Sequence, residues 1–275
     1  MGSRPFVTAL AVICAATLLF LSCSKRRGPS ATEAPEKSWV LVWADEFEGT
    51  EINMDNWVYD LGSLWNGWGN NELQYYTSRT VNAYIEDGSL VIQALEEDTY
   101  PGFDYTSARM KTQGKVFFKY GKVEARIKLP YGQGIWPAFW SMGVSGNWPA
   151  CGEIDIMEMI GGGSNRDNRY HGTVHWDDSG HKMSGSHGTI PWPAKLADNY
   201  HIYGIEWDQS EIRWYFDGEQ YFSAAITSAV QSELHQEFFL LLNVAVGGDW
   251  PGSPDATTVF PQRMHVDWVR WYQWK

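Results

Sequence analysis

Residues 151–161 constrain the fold of this chain more than any other stretch. Glu153, Asp155 and Glu158 fall within six residues, interleaved with large apolar side chains. Successive side chains of a β-strand point to opposite faces, so Glu153 and Asp155 share one face. Strict alternation would then bury Glu158, and an unpaired charge is rarely buried. We therefore predict a β-bulge around residues 156–157, which returns Glu158 to the acidic face. Bulges are common beside active sites.

Composition narrows the range of partners. The net charge of −12 argues against nucleic acid or an anionic membrane surface as the natural ligand. Charged residues make up only 20% of the 275 residues, so the chain is not of the disordered acidic type. The 16 Trp and 14 Tyr exceed what a core requires. Flat apolar surfaces such as those of sugar rings are natural partners for this surplus.

Residues 1–22 have the pattern of a signal peptide. Arg4 precedes an apolar run at 6–21 that is short for a membrane span and typical of a secretory leader. The run ends in Phe-Leu-Ser-Cys, which resembles a bacterial lipoprotein signal with Cys23 as the lipid-modified residue. We therefore predict export to the cell envelope or surface, with membrane contact only through this anchor; a plain secretory signal is the alternative.

Residues 23–37 are polar and lack apolar periodicity, which predicts a flexible tether before a single domain at 38–275. Cys151 is the one cysteine of that domain, so no intrachain disulfide is expected and its side chain should be a small buried apolar group.

The domain consists of short segments with β-strand patterns. Residues 122–129 alternate apolar and charged side chains, and Asp217-Gly218 is a strong hairpin signal. Residues 238–246 are almost continuously apolar, as in a strand covered on both sides. Further strands are predicted at 39–43, 89–94, 211–217 and 266–274. The only short helix candidate is 223–232. These patterns predict an all-β sandwich or barrel.

Several predicted loops combine Trp with amide side chains. The segment at 65–76 does so, and amides can bond sugar hydroxyls; the segments at 136–140 and 247–251 supply further indoles. Any one of them could serve packing alone. Their recurrence around an acidic strand indicates a carbohydrate cleft.

The sequence from Gly152 to Glu158 resembles the signature of glycoside hydrolase family 16, in the form with an extra residue before the last glutamate. The resemblance extends from the Trp43 region to Arg270. Other segments are similar to the laminarinases of that family, which are endo-acting β-1,3-glucanases: Asn70 to Tyr76, Ser107 to Arg109, Trp136 to Trp140 and Gly172 to Trp176.

The resemblance implies a concanavalin A-like jelly-roll sandwich with an open concave cleft. It also implies a retaining mechanism with Glu153 as nucleophile, Glu158 as acid/base and Asp155 bonding Glu153 between them. Three neighbouring carboxyls suit this chemistry, because ionising one raises the pKa of the next. The group can then supply an ionised and a protonated carboxyl without a metal, so no cofactor is expected for the chemistry.

We predict further substrate contacts and one structural ion. The predicted contacts with a β-glucan are Asn71, Arg109, Trp136, Trp140, His175 and Trp250. Many family members bind Ca²⁺ through main-chain oxygens at positions matching Glu46 and Gly88 and the carboxylate of Asp267; a surface aspartate without calcium is the alternative. The protein is expected to be a monomer.

Other functions remain open at this point. A mixed-linkage glucan or an algal galactan is the rival substrate class, although the negative charge disfavours a sulfated one. A non-catalytic glucan-binding sandwich is the alternative outside the enzymes, and the presence of the three acids argues against it.

Overall fold

Buried and partly exposed side chains alternate along strands of this protein, as in the segment Gly121–Lys128. Its residues Val123, Ala125 and Ile127 are buried and the residues between them are partly exposed. The computed structural model describes residues 37–64 and 66–275. The predicted signal peptide (1–22) and, apart from Lys37, the predicted tether (23–37) lie outside these residues.

The described strands form two sheets. The ten-stranded sheet contains β1 (Trp39–Asp45), β3 (Gln74–Tyr76), β4 (Ala83–Glu86), β5 (Ser89–Tyr100), β6 (Phe103–Ser107), β8 (Gly121–Lys128), β13 (His201–Trp207), β14 (Glu211–Phe216), β15 (Glu219–Ala225) and β17 (Gln262–Trp274). The seven-stranded sheet contains β2 (Val58–Asp60), β7 (Arg109–Lys111), β9 (Ile135–Gly143), β10 (Glu153–Glu158), β11 (Arg169–Asp177), β12 (His181–Thr189) and β16 (Phe238–Val246).

The order of the seven-stranded sheet is β12-β11-β10-β9-β16-β7-β2, so the acidic strand lies near its middle. In the ten-stranded sheet, β15-β14-β13-β8-β17-β5-β6-β3 form the main path, with β1 beside β17 and β4 beside β5. The predicted all-β sandwich is confirmed.

The core lies between the two sheets. All nine residues of β16 are buried, as its continuous apolar pattern predicts. Leu240, Leu242 and Val244 belong to the core cluster, whereas Asn243 lies on the opposite face of the strand. One face of the sheet therefore packs against its partner sheet, and the other is available for a site.

The turn and helix predictions had opposite outcomes. Asp217 and Gly218 both have positive φ, 48° and 85°, and close a two-residue hairpin between β14 and β15. The helix predicted at 223–232 is wrong, because β15 continues through Ala225 in a ladder with β14, and a 3₁₀ segment begins only at Ala229 (Ala229–His235). Strand pairing overrides the weak helical preference of this segment.

Two smaller features also bear on the sequence predictions. Cys151 is buried and free, as expected for a small apolar residue. Within residues 37–64 and 66–275, no helix is both long and apolar enough to cross a membrane.

Candidate active site

A β-bulge in β10 places its three acids on one face. Against β9, Asp155 pairs with Trp140 and Met157 with Phe139, so Ile156 is an extra residue; against β11 the register shifts between Asp155 and Glu158. The predicted bulge is confirmed. The side chains of both Ile156 and Met157 enter the core, 1% and 0% exposed, while Glu158 stays on the outer face.

The backbone at the bulge is supported from the opposite sheet. The indole nitrogen of Trp214 in β14 donates a hydrogen bond to the carbonyl oxygen of Asp155 at 2.8 Å. A bulge interrupts the regular ladder, and a buried carbonyl without a partner would be costly. Trp214 thereby stabilises the irregular geometry on which the acidic face depends.

The three acids open into a cleft of about 330 Å³ on the outer face of the seven-stranded sheet. Its lining residues are Trp68, Gly69, Asn70, Glu72, Arg109, Trp136, Ala138, Trp140, Met142, Trp148, Glu153, Asp155, Glu158, Asn243 and Ala245. Alternate residues of β9 line the cleft, and Ile135 and Phe139 between them pack in the core. One face of β9 therefore lines the cleft, and its other face packs in the core.

Glu158 lies at one side of the acidic group. The indole of Trp136 donates a hydrogen bond to its Oε1 at 3.0 Å. Burial, and after it the neighbouring Asp155, raise the pKa of Glu158 well above its usual range, against the opposing effect of the Trp136 hydrogen bond. Glu158 is therefore suited to hold a proton near neutral pH.

Glu153 and Asp155 form the other side of the group, together with His175. His175 Nε2 lies 2.9 Å from Asp155 Oδ2 and 3.8 Å from Glu153 Oε1. Burial raises the pKa of both carboxyls; Asp155 raises that of Glu153 further, and His175 counteracts this. Because the three carboxyls lie close together, ionising one of them disfavours ionising the others.

Among the described residues, Glu153, Asp155 and His175 bring possible metal-ligand atoms within 4.8 Å of one another. The set of one nitrogen and two carboxylates could coordinate a divalent cation. Its closest contact, 2.9 Å between His175 and Asp155, is a hydrogen bond. This hydrogen bond joins His175 to the group of acids.

The structure places three of the predicted substrate contacts, Arg109, Trp136 and Trp140, in the cleft lining. Arg109 lies between two indoles, its guanidinium carbon 4.5 Å from the ring centroid of Trp68 and 4.8 Å from that of Trp140, and its Nε is 3.0 Å from Asp60 Oδ2. Cation–π contacts on both sides fix the orientation of this charge.

The other three predicted contacts lie outside the lining set. Asn71 donates to both carboxylate oxygens of Asp249 at 3.0 Å, and His175 contacts the acids. Trp250 is 39% exposed and packs edge-on against Trp136, with ring centroids 5.5 Å apart. It therefore extends the aromatic surface beside Glu158.

Several lining residues were not singled out from the sequence, chiefly Glu72, Trp148 and Asn243. Asn243 had a usable signal, because it is the one polar residue in the apolar run of β16. It accepts a hydrogen bond from Trp140 at 2.8 Å and donates to Tyr76. Glu72 lies in the loop that the sequence marked as rich in Trp and amides, and it accepts from Gln74 at 2.7 Å.

The predicted calcium residues lie beside β17. Glu46 directly follows Asp45, the last residue of β1, which pairs with Val269 of β17. Gly88 lies two residues before Leu90, which pairs with Val266 of β17. Asp267 therefore lies in the segment that both approach. Its Oδ2 binds Arg126 at 2.7 Å, and Arg270 holds both carboxylate oxygens of Glu46 at 2.8 Å. The calcium site stays a prediction, since calcium prefers oxygen ligands such as main-chain carbonyls and a carboxylate.

An all-β sandwich with three neighbouring carboxyls in an aromatic cleft defines a glycoside hydrolase of the jelly-roll type. The model of glycosyl hydrolases family 16 matches residues 66–270. The chain belongs to this family.

The chain is also similar to individual proteins over most of its length. The endo-1,3-β-glucanase (laminarinase) catalytic domain of Thermotoga petrophila superposes with a TM-score of 0.79 at 43% identity, over 87% of this chain and 100% of that one. The β-glucanase of Rhodothermus marinus is 40% identical over 93% of this chain and 92% of its own length. The clotting factor G alpha subunit of Tachypleus tridentatus is 42% identical over 86% of this chain, which spans only 34% of that relative.

Proposed function

We propose that this protein is an endo-acting, retaining hydrolase of internal β-1,3-glucosidic bonds in laminarin-type glucans. The observation that carries this proposal is the group of Glu153, Asp155 and Glu158 on one face of β10, inside an aromatic cleft. The substrate class follows the relatives from Thermotoga petrophila and Rhodothermus marinus, whose names specify laminarinase or β-glucanase activity.

The proposed reaction has two steps. In the first, a carboxylate oxygen of Glu153 attacks the anomeric carbon, the glycosidic C–O bond breaks, and Glu158 gives its proton to the leaving oxygen. In the second, Glu158 takes a proton from water, which displaces Glu153 from the sugar. The raised pKa of Glu158 suits the first step, and Trp136 holds the same side chain through both.

Substrate binding is assigned to the aromatic surfaces of the cleft. Trp68, Trp136, Trp140 and Trp148 all contribute to the lining and can stack on sugar rings. Arg109, fixed between two of these indoles, can donate hydrogen bonds to hydroxyls. An open cleft admits the middle of a polysaccharide, which supports internal cleavage.

The direct test is a product profile. We expect rapid release of short oligosaccharides of mixed length from soluble laminarin, because the cleft accepts internal bonds. Lichenan, agarose and carrageenan tested side by side are the comparison, read by chromatography of early products. Preference for agarose or carrageenan over laminarin would overturn the proposal, and release of glucose alone would contradict the endo mode.

A second substrate class has specific support. The endo-1,3-1,4-β-glycanase EglC of Rhizobium meliloti is 36% identical over 74% of this chain. Activity on lichenan comparable to that on laminarin would extend the substrate range to mixed-linkage glucans.

We also propose that the mature protein is exported and anchored by lipid on Cys23. This rests on the leader pattern of residues 1–22. Mass spectrometry of the mature N-terminal peptide provides the test, since an unmodified cysteine there would exclude the anchor.

For calcium, we propose a structural site formed by main-chain oxygens of Glu46 and Gly88 and by the Asp267 carboxylate. The ion would link the end of β1 and the β4–β5 turn to β17, away from the catalytic acids. A melting temperature that chelation leaves unchanged, and that added calcium does not raise, would exclude it.

A further inference from the structure

Protein side chains engage both ring nitrogens of His175. Nε2 lies 2.9 Å from Asp155 Oδ2, and Nδ1 lies 2.7 Å from Nε2 of His181. The two imidazoles are nearly parallel, 16° apart, with centroids separated by 5.0 Å. The hydrogen-bonded network of the acids therefore continues outward to a second histidine, which lies on β12 outside the cleft lining.

The hairpin that carries His181 is fixed by contacts of its own. The backbone N–H of Gly180 donates to Asp177 Oδ1 at 2.8 Å, and that of Asp177 donates to Glu233 Oε1 at 2.7 Å. The indole of Trp148 packs on the His181 ring with centroids 4.6 Å apart. His181 is therefore held at a defined place beside His175.

The short contact between the rings restricts where protons lie. Two ring nitrogens 2.7 Å apart need one hydrogen between them. If His175 Nε2–H donates to Asp155, the neutral ring has only a lone pair at Nδ1, and His181 must supply the hydrogen from Nε2. Burial, His175 and Lys182 lower the pKa of His181, which favours a neutral ring with a single N–H.

We propose that His181 is a positioning residue for the reaction: it donates Nε2–H to His175 Nδ1 and so directs the His175 Nε2–H at Asp155 Oδ2. This inference rests on the proposed function. With Oδ2 acting as acceptor, the Asp155 carboxyl is held in one orientation beside Glu153 on the acidic face of β10.

A neighbouring carboxyl of fixed orientation gives Glu153 the same electrostatic surroundings before attack and again when it leaves the sugar in the second step. The scheme transfers no proton. His181 only determines which nitrogen of His175 carries the hydrogen.

Two substitutions separate the hydrogen bond from the shape of the ring. His181→Phe keeps an aromatic ring against Trp148 but removes the N–H, and His181→Gln retains an amide donor close to the position of Nε2. We expect kcat on laminarin to fall about tenfold in the Phe variant, the scale of one lost hydrogen bond. KM should change by less than about twofold because His181 does not line the cleft. The Gln variant should recover most of kcat.

The matched control is His187→Phe. His187 is also exposed on β12, but its ring lies beside that of His171, with centroids 5.6 Å apart, and has no contact with His175 among those described. This variant should keep the wild-type kcat. A loss equal to that of His181→Phe would show that any phenylalanine on this edge strand disturbs the site, and would overturn the proposal.

Nitrogen-15 NMR of labelled histidines, recorded without substrate, provides the direct readout. The wild type should carry the His175 hydrogen on Nε2, and the Phe variant should show a mixture of tautomers. A wild-type His175 with a hydrogen on Nδ1, either alone or together with one on Nε2, would overturn the proposal, as would a Gln variant no better than the Phe variant at equal melting temperature. If the Phe variant fails to fold, the wild-type spectrum and the activity of the Gln variant still test the proposed hydrogen bond.

The NMR result is independent of catalysis. A wild type that shows the expected tautomer but does not hydrolyse laminarin would contradict the proposed function and leave the hydrogen-bond assignment in place. The two failures are therefore distinguishable.

Discussion

Glu153→Gln is expected to abolish laminarin hydrolysis, with kcat lowered on the order of 10⁴-fold or more, as for other enzymes that lose a covalent nucleophile. An amide cannot form the glycosyl ester. Asp155, next on the same face, is turned into its hydrogen bond with His175. The measurement is reducing-sugar release from laminarin, with the melting temperature recorded to show that the variant is folded.

The matched control is Glu158→Gln, because it changes another acid of the same group. On laminarin it should also be severely impaired, since the leaving sugar oxygen needs a proton. On an aryl β-glucoside with an activated leaving group its loss should be much smaller, whereas Glu153→Gln should remain inactive on both substrates. Equal losses of Glu158→Gln on both substrates would assign this residue a different role.

The second large effect concerns the bulge in β10. We expect an alanine inserted between Ile156 and Met157 to eliminate hydrolysis and to lower the melting temperature. If the bulge persists, Glu158 turns toward the core, where an unpaired carboxyl costs several kcal/mol. If the strand straightens instead, Glu158 regains the acidic face about two strand rises, roughly 6.6 Å, beyond its place in a variant that lacks Met157. That position is too far for a retaining pair.

Deletion of Met157 is the informative comparison. It restores plain alternation and keeps Glu153, Asp155 and the former Glu158 on one face. The structure adds a cost, because Met157 is fully buried in the core, and losing such a side chain destabilises by roughly 2–5 kcal/mol. The deletion variant should therefore be less stable and weakly active, and the insertion variant inactive.

An alanine inserted between Pro101 and Gly102, in the exposed turn between β5 and β6, controls for insertion as such. It should leave activity close to wild type. Hydrolysis by the β10 insertion variant at or above the level of the deletion variant would contradict the role assigned to the bulge.

Much of the strand layout could be predicted because it depends on neighbouring residues. The alternation in β8, the apolar run of β16 and the Asp217-Gly218 hairpin are local patterns, and each appears where the sequence placed it. The helix predicted at 223–232 was wrong because its conformation does not depend on neighbouring residues alone. Its residues have no strong preference of their own, and pairing with β14 determined their conformation.

The bulge lies between these cases. The sequence required one extra residue between Asp155 and Glu158, because the two acids could not otherwise share a face. It did not reveal that both Ile156 and Met157 would enter the core, nor that Trp214, 59 residues beyond Asp155, would bond its carbonyl. Those details depend on how the two sheets pack.

The sequence by itself determined an all-β fold and the acidic face, because side-chain alternation and charge burial act over a few residues. The family and its jelly-roll sandwich followed from the resemblance of the motifs. Only the tertiary structure decided which aromatic residues line the cleft, that Asn71 binds Asp249 178 residues away, and that His175 bonds both Asp155 and His181. Contacts of this kind depend on strand order and register, which side-chain alternation leaves open. Many strand orders bury the same apolar faces equally well, and each would bring different polar side chains together.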